Sequence, residues 1–147
     1  MFQGNAVLTL DAKGRLAVPT KHRDALLAAG RTVVLTAHVD SCLLLYPGAD
    51  WKPIRERVQS LSAFDDRARW WNRLIVGYAE EIELDAQGRI LVSPSLREFA
   101  SLSKDVRLVG LNDHFEIWDD AAWKEKLAVA LPQVASSPLP GADRAPL

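Results

Sequence analysis

Several absences narrow the possibilities before any motif is considered. Cysteine occurs once in 147 residues, at position 42. An intramolecular disulfide is therefore excluded, no paired Cys-x-x-Cys supports a zinc site, and the composition suits a reducing cytosol. Glycines never fall in a Gly-x-Gly or Gly-Lys-Ser/Thr arrangement, so no phosphate loop is encoded. The histidines are His22, His38 and His114, and nothing in their spacing sets one beside Cys42 or a serine as a nucleophile would require. The expectation is no enzyme, no catalytic residue, no cofactor and no resident metal. No apolar run approaches a membrane span, and Met1-Phe2-Gln3-Gly4 lacks the basic start and apolar middle of a secretory signal. A soluble, cytoplasmic protein with no membrane partner is expected. Net charge is −1, without the global basic excess of many nucleic-acid binders.

The charge is unevenly spread. Residues 1–31 carry five Lys or Arg against two Asp, whereas residues 81–147 carry seven against eleven acidic residues. The basic surface is thus expected in the first half. A hydrophobic share of 48% is enough for a core, but two halves of this size would be marginal alone and are expected to share one.

The chain is a tandem duplication. Asp11-Ala12-Lys13-Gly14-Arg15-Leu16-Ala17-Val18-Pro19 returns as Asp85-Ala86-Gln87-Gly88-Arg89-Ile90-Leu91-Val92-Ser93-Pro94, with Asp, Gly and Arg repeating at an offset of 74. Ser93 shifts the second proline by one place. A second pair of landmarks, Leu43-Leu44-Leu45-Tyr46 with Trp51 and Phe115-Glu116-Ile117-Trp118 with Trp123, recurs at an offset of 72. Leu8 and Leu10 before the first motif, and Leu16 and Val18 after it, alternate as half-buried strands do, with Asp-x-x-Gly as the turn between them. Glycine supplies a positive φ that Lys or Arg would adopt only with strain, and the Asp carboxylate can bond backbone amides across the turn. In one copy this reads as a solvated hairpin tip with an incidental arginine. An Arg directly after the Gly in both copies points to function.

These residues resemble a known family. Met1-Phe2-x-Gly4, the Asp-x-Lys-Gly-Arg-x-x-x-Pro block, Cys42-Leu43-Leu44-Leu45-Tyr46-Pro47 and the second Asp-x-x-Gly-Arg block together look like the MraZ family of bacterial transcriptional regulators, over roughly residues 1 to 125. The resemblance implies a mainly β fold with short helices. It further implies two pseudo-symmetric SpoVT-AbrB-like swapped-hairpin repeats sharing a barrel-like core, assembly into rings, and binding to direct DNA repeats upstream of the division and cell-wall gene cluster. On that basis the partners are double-stranded DNA and further copies of the chain, in the cytoplasm and associated with the nucleoid. One departure stands out: Gln87 replaces the lysine at the second turn.

The chain divides accordingly into a first repeat (5–49), a helical insert (50–77), a second repeat (78–121), a C-terminal helix (122–131) and a Pro- and Ser-rich tail (132–147) expected to be disordered. In the first repeat, a strand over 5–10, a return strand over Leu16–Val18 and a helix opening at Pro19 and Thr20 are followed by continuous apolar strands at Val33–Thr36 and Cys42–Tyr46, which implies cover on both faces. In the insert, Asp50 can cap a helix bearing Trp51, Ile54, Val58 and Leu61 on one face. A second helix from about Asp65 to Tyr78 carries Trp70, Trp71, Leu74, Ile75 and Tyr78. That aromatic stripe reads first as core and second as a subunit interface. In the second repeat, strands are expected over 79–84, 90–92, 106–111 and 114–118, with a short helix over 95–101 and a helix capped by Asp119 or Asp120.

Arg15 is the first candidate for reading DNA, because an arginine can bond guanine O6 and N7 in the major groove. Gly14 shapes its turn. Lys13, Lys21 and Arg23 are candidates for phosphate contact, and Arg89 is the second-repeat counterpart, expected to contribute less. His38, Asp40 and Cys42 alternate and could share one side of a strand, but with no fourth ligand they read as a polar loop entering a core strand. Two rival functions are an AbrB-type antitoxin and a structural ring that assembles protein partners without DNA.

Overall fold

The computed structural model describes residues 1–137 and 139. Its strands are β1 (Asn5–Thr9), β2 (Arg15–Ala17), β3 (Thr32–Ala37), β4 (Leu43–Pro47), β5 (Glu80–Glu83), β6 (Arg89–Leu91), β7 (Asp105–Gly110) and β8 (Phe115–Asp119). Its helices are α1 (Thr20–Leu26), α2 (Trp51–Gln59), α3 (Asp66–Ile75), α4 (Pro94–Phe99) and α5 (Asp120–Ser136). The fold is mainly β with short helices, as the resemblance implied. The repeats correspond element by element: β1 to β5, β2 to β6, α1 to α4, β3 to β7 and β4 to β8.

The halves are interleaved. The large antiparallel sheet runs β1-β7-β8-β4-β3-β5, and β2 pairs with β6 in a separate two-stranded ribbon. Among the described residues, only β3–β4 and β7–β8 pair within a repeat; β1–β7, β3–β5, β4–β8 and β2–β6 all join the two. The Asp-x-x-Gly turn is therefore not the tip of a simple hairpin, because its two flanking strands go to different sheets. Both repeats carry the same strand alternation, and each strand has a partner in the other copy.

One core lies between the ribbon and the large sheet. Leu16 and Ile90, facing each other across β2 and β6, are fully buried there with Leu26 and Leu96 of the helices and Leu35, Leu45 and Ile117 of the sheet. Burying one such side chain is worth roughly 1.5–3 kcal/mol, so the interlocking is held by many contacts that neither repeat could make alone. A second cluster of Val34, Leu44, Tyr46, Trp51 and Ile75 covers the opposite face of β3 and β4. This explains the uninterrupted apolar runs of these strands, since the helical insert supplies the second cover.

The insert and the helix ends differ in detail from the sequence reading. Asp65 caps α3 by accepting a 2.9 Å bond from Arg67 N–H, but Asp50 makes no capping bond because it lies in a single 3-10 turn, Gly48–Asp50. Ile75 is buried and Tyr78 packs on the main core, whereas Trp70 is 55% exposed. The aromatic stripe thus faces two ways. Ser93 caps α4 with Pro94 in its first turn, while Pro19 occupies the equivalent position before α1 without a side-chain cap. The offset of 74 is consequently unbroken, and the proline has exchanged places with a cap rather than been displaced by an insertion. Helix α5, capped by Asp119, continues past Leu131 to Ser136. It carries Pro132 because its last turns are exposed, so the carbonyls that lose a donor remain with water. Residues 138 and 140–147 of the expected tail lie outside the described residues. No helix among those described is long and apolar enough to cross a membrane.

Candidate nucleic-acid interface

Both turns have the same internal architecture. Asp11 Oδ1 accepts from the backbone N–H of Lys13 and of Arg15, each at 2.9 Å, and Asp85 Oδ1 accepts from Gln87 and Arg89 at the same distance. The other carboxylate oxygen takes the arginine side chain: Arg15 Nε donates to Asp11 Oδ2 at 2.6 Å, and Arg89 Nε to Asp85 Oδ2 at 2.7 Å. Gly14 and Gly88 sit at φ +82° and +73°, in the left-handed region that the turn requires. The amide of Arg15, opposed by some burial and aided by the Arg15 side chain and the Lys13 amide, holds the Asp11 carboxyl down at about 2. The Asp85 carboxyl is lowered in the same way, first by the Arg89 amide. Both carboxylates stay ionised at any physiological pH and hold the arginines in place.

The ribbon brings the two turns into one surface. β2 and β6 pair as Arg15↔Leu91, Leu16↔Ile90 and Ala17↔Arg89, so with Leu16 and Ile90 turned into the core, Arg15 and Arg89 lie on the same outer face. Arg89 Nη1 is 4.0 Å from Asp11 Oδ2, the oxygen that Arg15 also holds. Val18 N–H donates to Gly88 O and Val92 N–H to Gly14 O, both at 2.9 Å, and these bonds tie each turn to the strand of the other repeat.

A pair of arginines supports the turns from behind. Arg23 Nε donates to Val18 O at 2.8 Å and Arg97 Nε to Val92 O at 3.0 Å. A side-chain carbon added to Gly14 would come within 2.8 Å of Arg97, and one added to Gly88 would meet Arg23 more closely still. Arg23, expected to contact phosphate, therefore stands behind the second turn, and Arg97 stands behind the first. Lys21 joins neither turn but lines a cleft with Gln3, Gly4, Asn5 and Ala6 at the start of β1. Sequence reasoning missed Arg97 and Lys104, which line a groove beside Leu10, Asp11 and Ala12. The offset of 74 from Arg23 could have pointed to Arg97; no local signal pointed to Lys104.

The turns differ at one position. Gln87 Oε1 accepts from Arg89 Nη2 at 3.2 Å, which occupies part of the outer edge of that guanidinium. Lys13 has no acceptor to offer, and it is exposed, adding a charge where Gln87 adds none.

A family model described as "MraZ protein, putative antitoxin-like" matches residues 1–74 and again 75–134, one repeat in each segment. Similar proteins are named transcriptional regulator MraZ. That of Azoarcus sp. (strain BH72) is 51% identical over 140 residues, covering 95% of either chain. That of Methylobacillus flagellatus is 55% identical over 128 residues, covering 86% of either chain, and that of Ralstonia pickettii (strain 12J) is 47% identical over 134 residues, covering 90% of this chain and 92% of its own.

Proposed function

Because the chain belongs to the MraZ family, we propose that it is a cytoplasmic, nucleoid-associated transcriptional regulator that binds direct DNA repeats upstream of the division and cell-wall gene cluster as a ring of identical subunits. The observation that carries this reading is the outer face of the β2–β6 ribbon, where Arg15 and Arg89 are held beside one another by Asp11 and Asp85. A two-stranded ribbon fits the major groove, and an arginine there bonds guanine O6 and N7 with about 1–3 kcal/mol of discrimination. Anchoring Nε to a carboxylate fixes the guanidinium before DNA arrives, which lowers the ordering cost of binding. Lys13 adds phosphate contact, and Gly14 keeps the turn in shape. Arg23 acts as a support for the second turn, and Lys21 is placed for phosphate contact only if the DNA reaches the start of β1.

Each ribbon carries little net charge, because the two carboxylates offset the two arginines. One protomer should bind weakly, and useful affinity has to come from several linked ribbons on one DNA. The exposed apolar side chains of the insert, Leu61, Phe64 and Trp70, and of α5, Val129, Leu131 and Val134, suit contacts with neighbouring copies.

The test is fluorescence anisotropy with the DNA immediately upstream of the protein's own gene and a scrambled duplex of equal length, with mass determined by light scattering. Tighter binding to the upstream fragment by a multi-subunit species is expected. Equal affinity for both duplexes would overturn sequence-specific regulation, and a monomer mass at micromolar concentration would overturn the ring.

A further inference from the structure

The face of the large sheet beside the helical insert holds a group of side chains that the DNA-binding reading does not use. His38 and Cys42 close the β3–β4 hairpin, with His38 N–H donating to Cys42 O at 3.0 Å. Glu116 comes from β8, where it stands opposite Leu44. A ring nitrogen of His38, the Cys42 sulfur and a carboxylate oxygen of Glu116 all lie within 4.8 Å of one another. The sequence placed Asp40 with His38 and Cys42 and found too few ligands. The sheet supplies the third donor from 74 residues beyond Cys42.

We propose that His38, Cys42 and Glu116 form a binding site for a zinc-class divalent transition metal that ties the first repeat to the second. A thiolate, an imidazole and a carboxylate are the donors that borderline-soft divalent ions take, and the sulfur disfavours calcium and magnesium. Three donors leave the fourth position of a tetrahedral ion to water. The separations, up to 4.8 Å, exceed those around a bound ion by at most about 1.3 Å, within reach of side-chain rotation, since tetrahedral bonds of ~2.0–2.3 Å set donors roughly 3.5 Å apart.

The surroundings act differently on the three donors. Trp118 Nε1 donates to Glu116 Oε1 at 3.0 Å, which fixes the carboxylate and leaves Oε2 to coordinate. His38 Nδ1 accepts from the Asp40 backbone N–H at 3.1 Å and lies 3.5 Å from Asp40 Oδ2, so coordination through Nε2 requires the ring to exchange that backbone bond for an Nδ1–H donated to the carboxylate. Trp71 of α3 packs edge-on against the His38 ring at 5.7 Å. Burial, together with the charges of Glu116 and Asp40, pushes the Cys42 thiol up, so the ion must displace a proton to solvent as it binds. The duplication offers a comparison within the molecule. The positions equivalent to Cys42 and Glu116 are His114 and Leu44, and among the described residues no second cluster of this kind occurs. The fold therefore does not generate the group by itself.

The test is a titration of metal-free full-length protein with Co²⁺, followed by the sulfur-to-cobalt charge-transfer absorption in the near ultraviolet and by tryptophan emission, with Zn²⁺ as competitor. One Co²⁺ per chain, displaced by Zn²⁺, is expected, with the sulfur band absent from Cys42→Ala. His38→Gln and Glu116→Gln alter partly buried polar side chains with conservative amides and should keep the fold, so they decide the matter if Cys42→Ala does not fold. Each should weaken Co²⁺ binding at least tenfold. Absence of the sulfur band at millimolar Co²⁺, or affinities unchanged in both of these variants, would overturn the proposal.

Discussion

The two Asp-x-x-Gly-Arg turns share a backbone, a glycine in the left-handed region and an aspartate that clamps the following arginine, yet they differ in what the arginine is free to do. At the first turn Asp11 holds Arg15 by Nε, and the neighbour is a lysine. At the second, Gln87 also takes Arg89 Nη2. A single side chain thus separates a turn that presents charge from one that partly satisfies itself. The acidity of the second half as a whole does not set this difference, because strand pairing brings both turns onto one ribbon.

The largest expected effect comes from removing the freer arginine. Arg15→Ala should lower specific DNA affinity by about ten- to a hundredfold, in line with the worth of an arginine–guanine contact, and Arg89→Ala by only a few-fold. Anisotropy on the upstream and scrambled duplexes measures both, with oligomer mass checked for each variant. Equal losses would break the comparison and make the ribbon a symmetric reader.

Exchanging the distinguishing side chain should sharpen it. Gln87→Lys removes the acceptor from Arg89 and adds a charge, so binding should tighten several-fold on both duplexes and the log–log salt slope should steepen by about one per ribbon engaged. Lys13→Gln should do the reverse. An unchanged salt slope in both variants would show that this position does not approach phosphate.

Stability separates the turns less. Gly14→Ala and Gly88→Ala each place a side chain at positive φ and against a supporting arginine, so each should cost on the order of 1 kcal/mol or somewhat more in urea unfolding. Gly88→Ala should cost more, because Arg23 approaches that position more closely than Arg97 approaches Gly14. Equal costs would mean that the arginines move aside freely.

The smallest effect concerns pH. His22 in α1 packs edge-on against Phe115 at 5.0 Å, whereas its counterpart in α4 is the buried Leu96. Burial, then the charges of Lys21 and the amino terminus, lower the His22 pKa below 6.5. Because the folded pKa is depressed, the folded state binds the proton less readily than the unfolded chain. Stability is full above about pH 6.5 and declines as pH falls toward 5. His22→Leu, which makes the first half resemble the second, should flatten the melting temperature between pH 7 and pH 5. A slope equal to that of the unmodified protein would assign the pH dependence to other groups. Asp11, ionised down to about pH 2, should add nothing to that window.

Much of this molecule was legible in its sequence because it depends on neighbours along the chain. The duplication, the glycines at Gly14 and Gly88, the amide-binding aspartates and the cap at Asp119 all follow from short-range geometry, which residue type largely dictates. The cover on both faces of β3 and β4 was equally readable from their unbroken apolar runs. The partner of each strand was not, since both repeats carry the same alternation, and pairing of β1 with β2 or with β7 buries equivalent residues until the whole core is counted. Tertiary structure alone decided that Arg15 and Arg89 share one ribbon face, that Arg23 and Arg97 support each other's turns, and that Glu116 joins His38 and Cys42. Each of these rests on contacts between residues about 70 positions apart, and such contacts are set by the fit of the complete core rather than by any local preference.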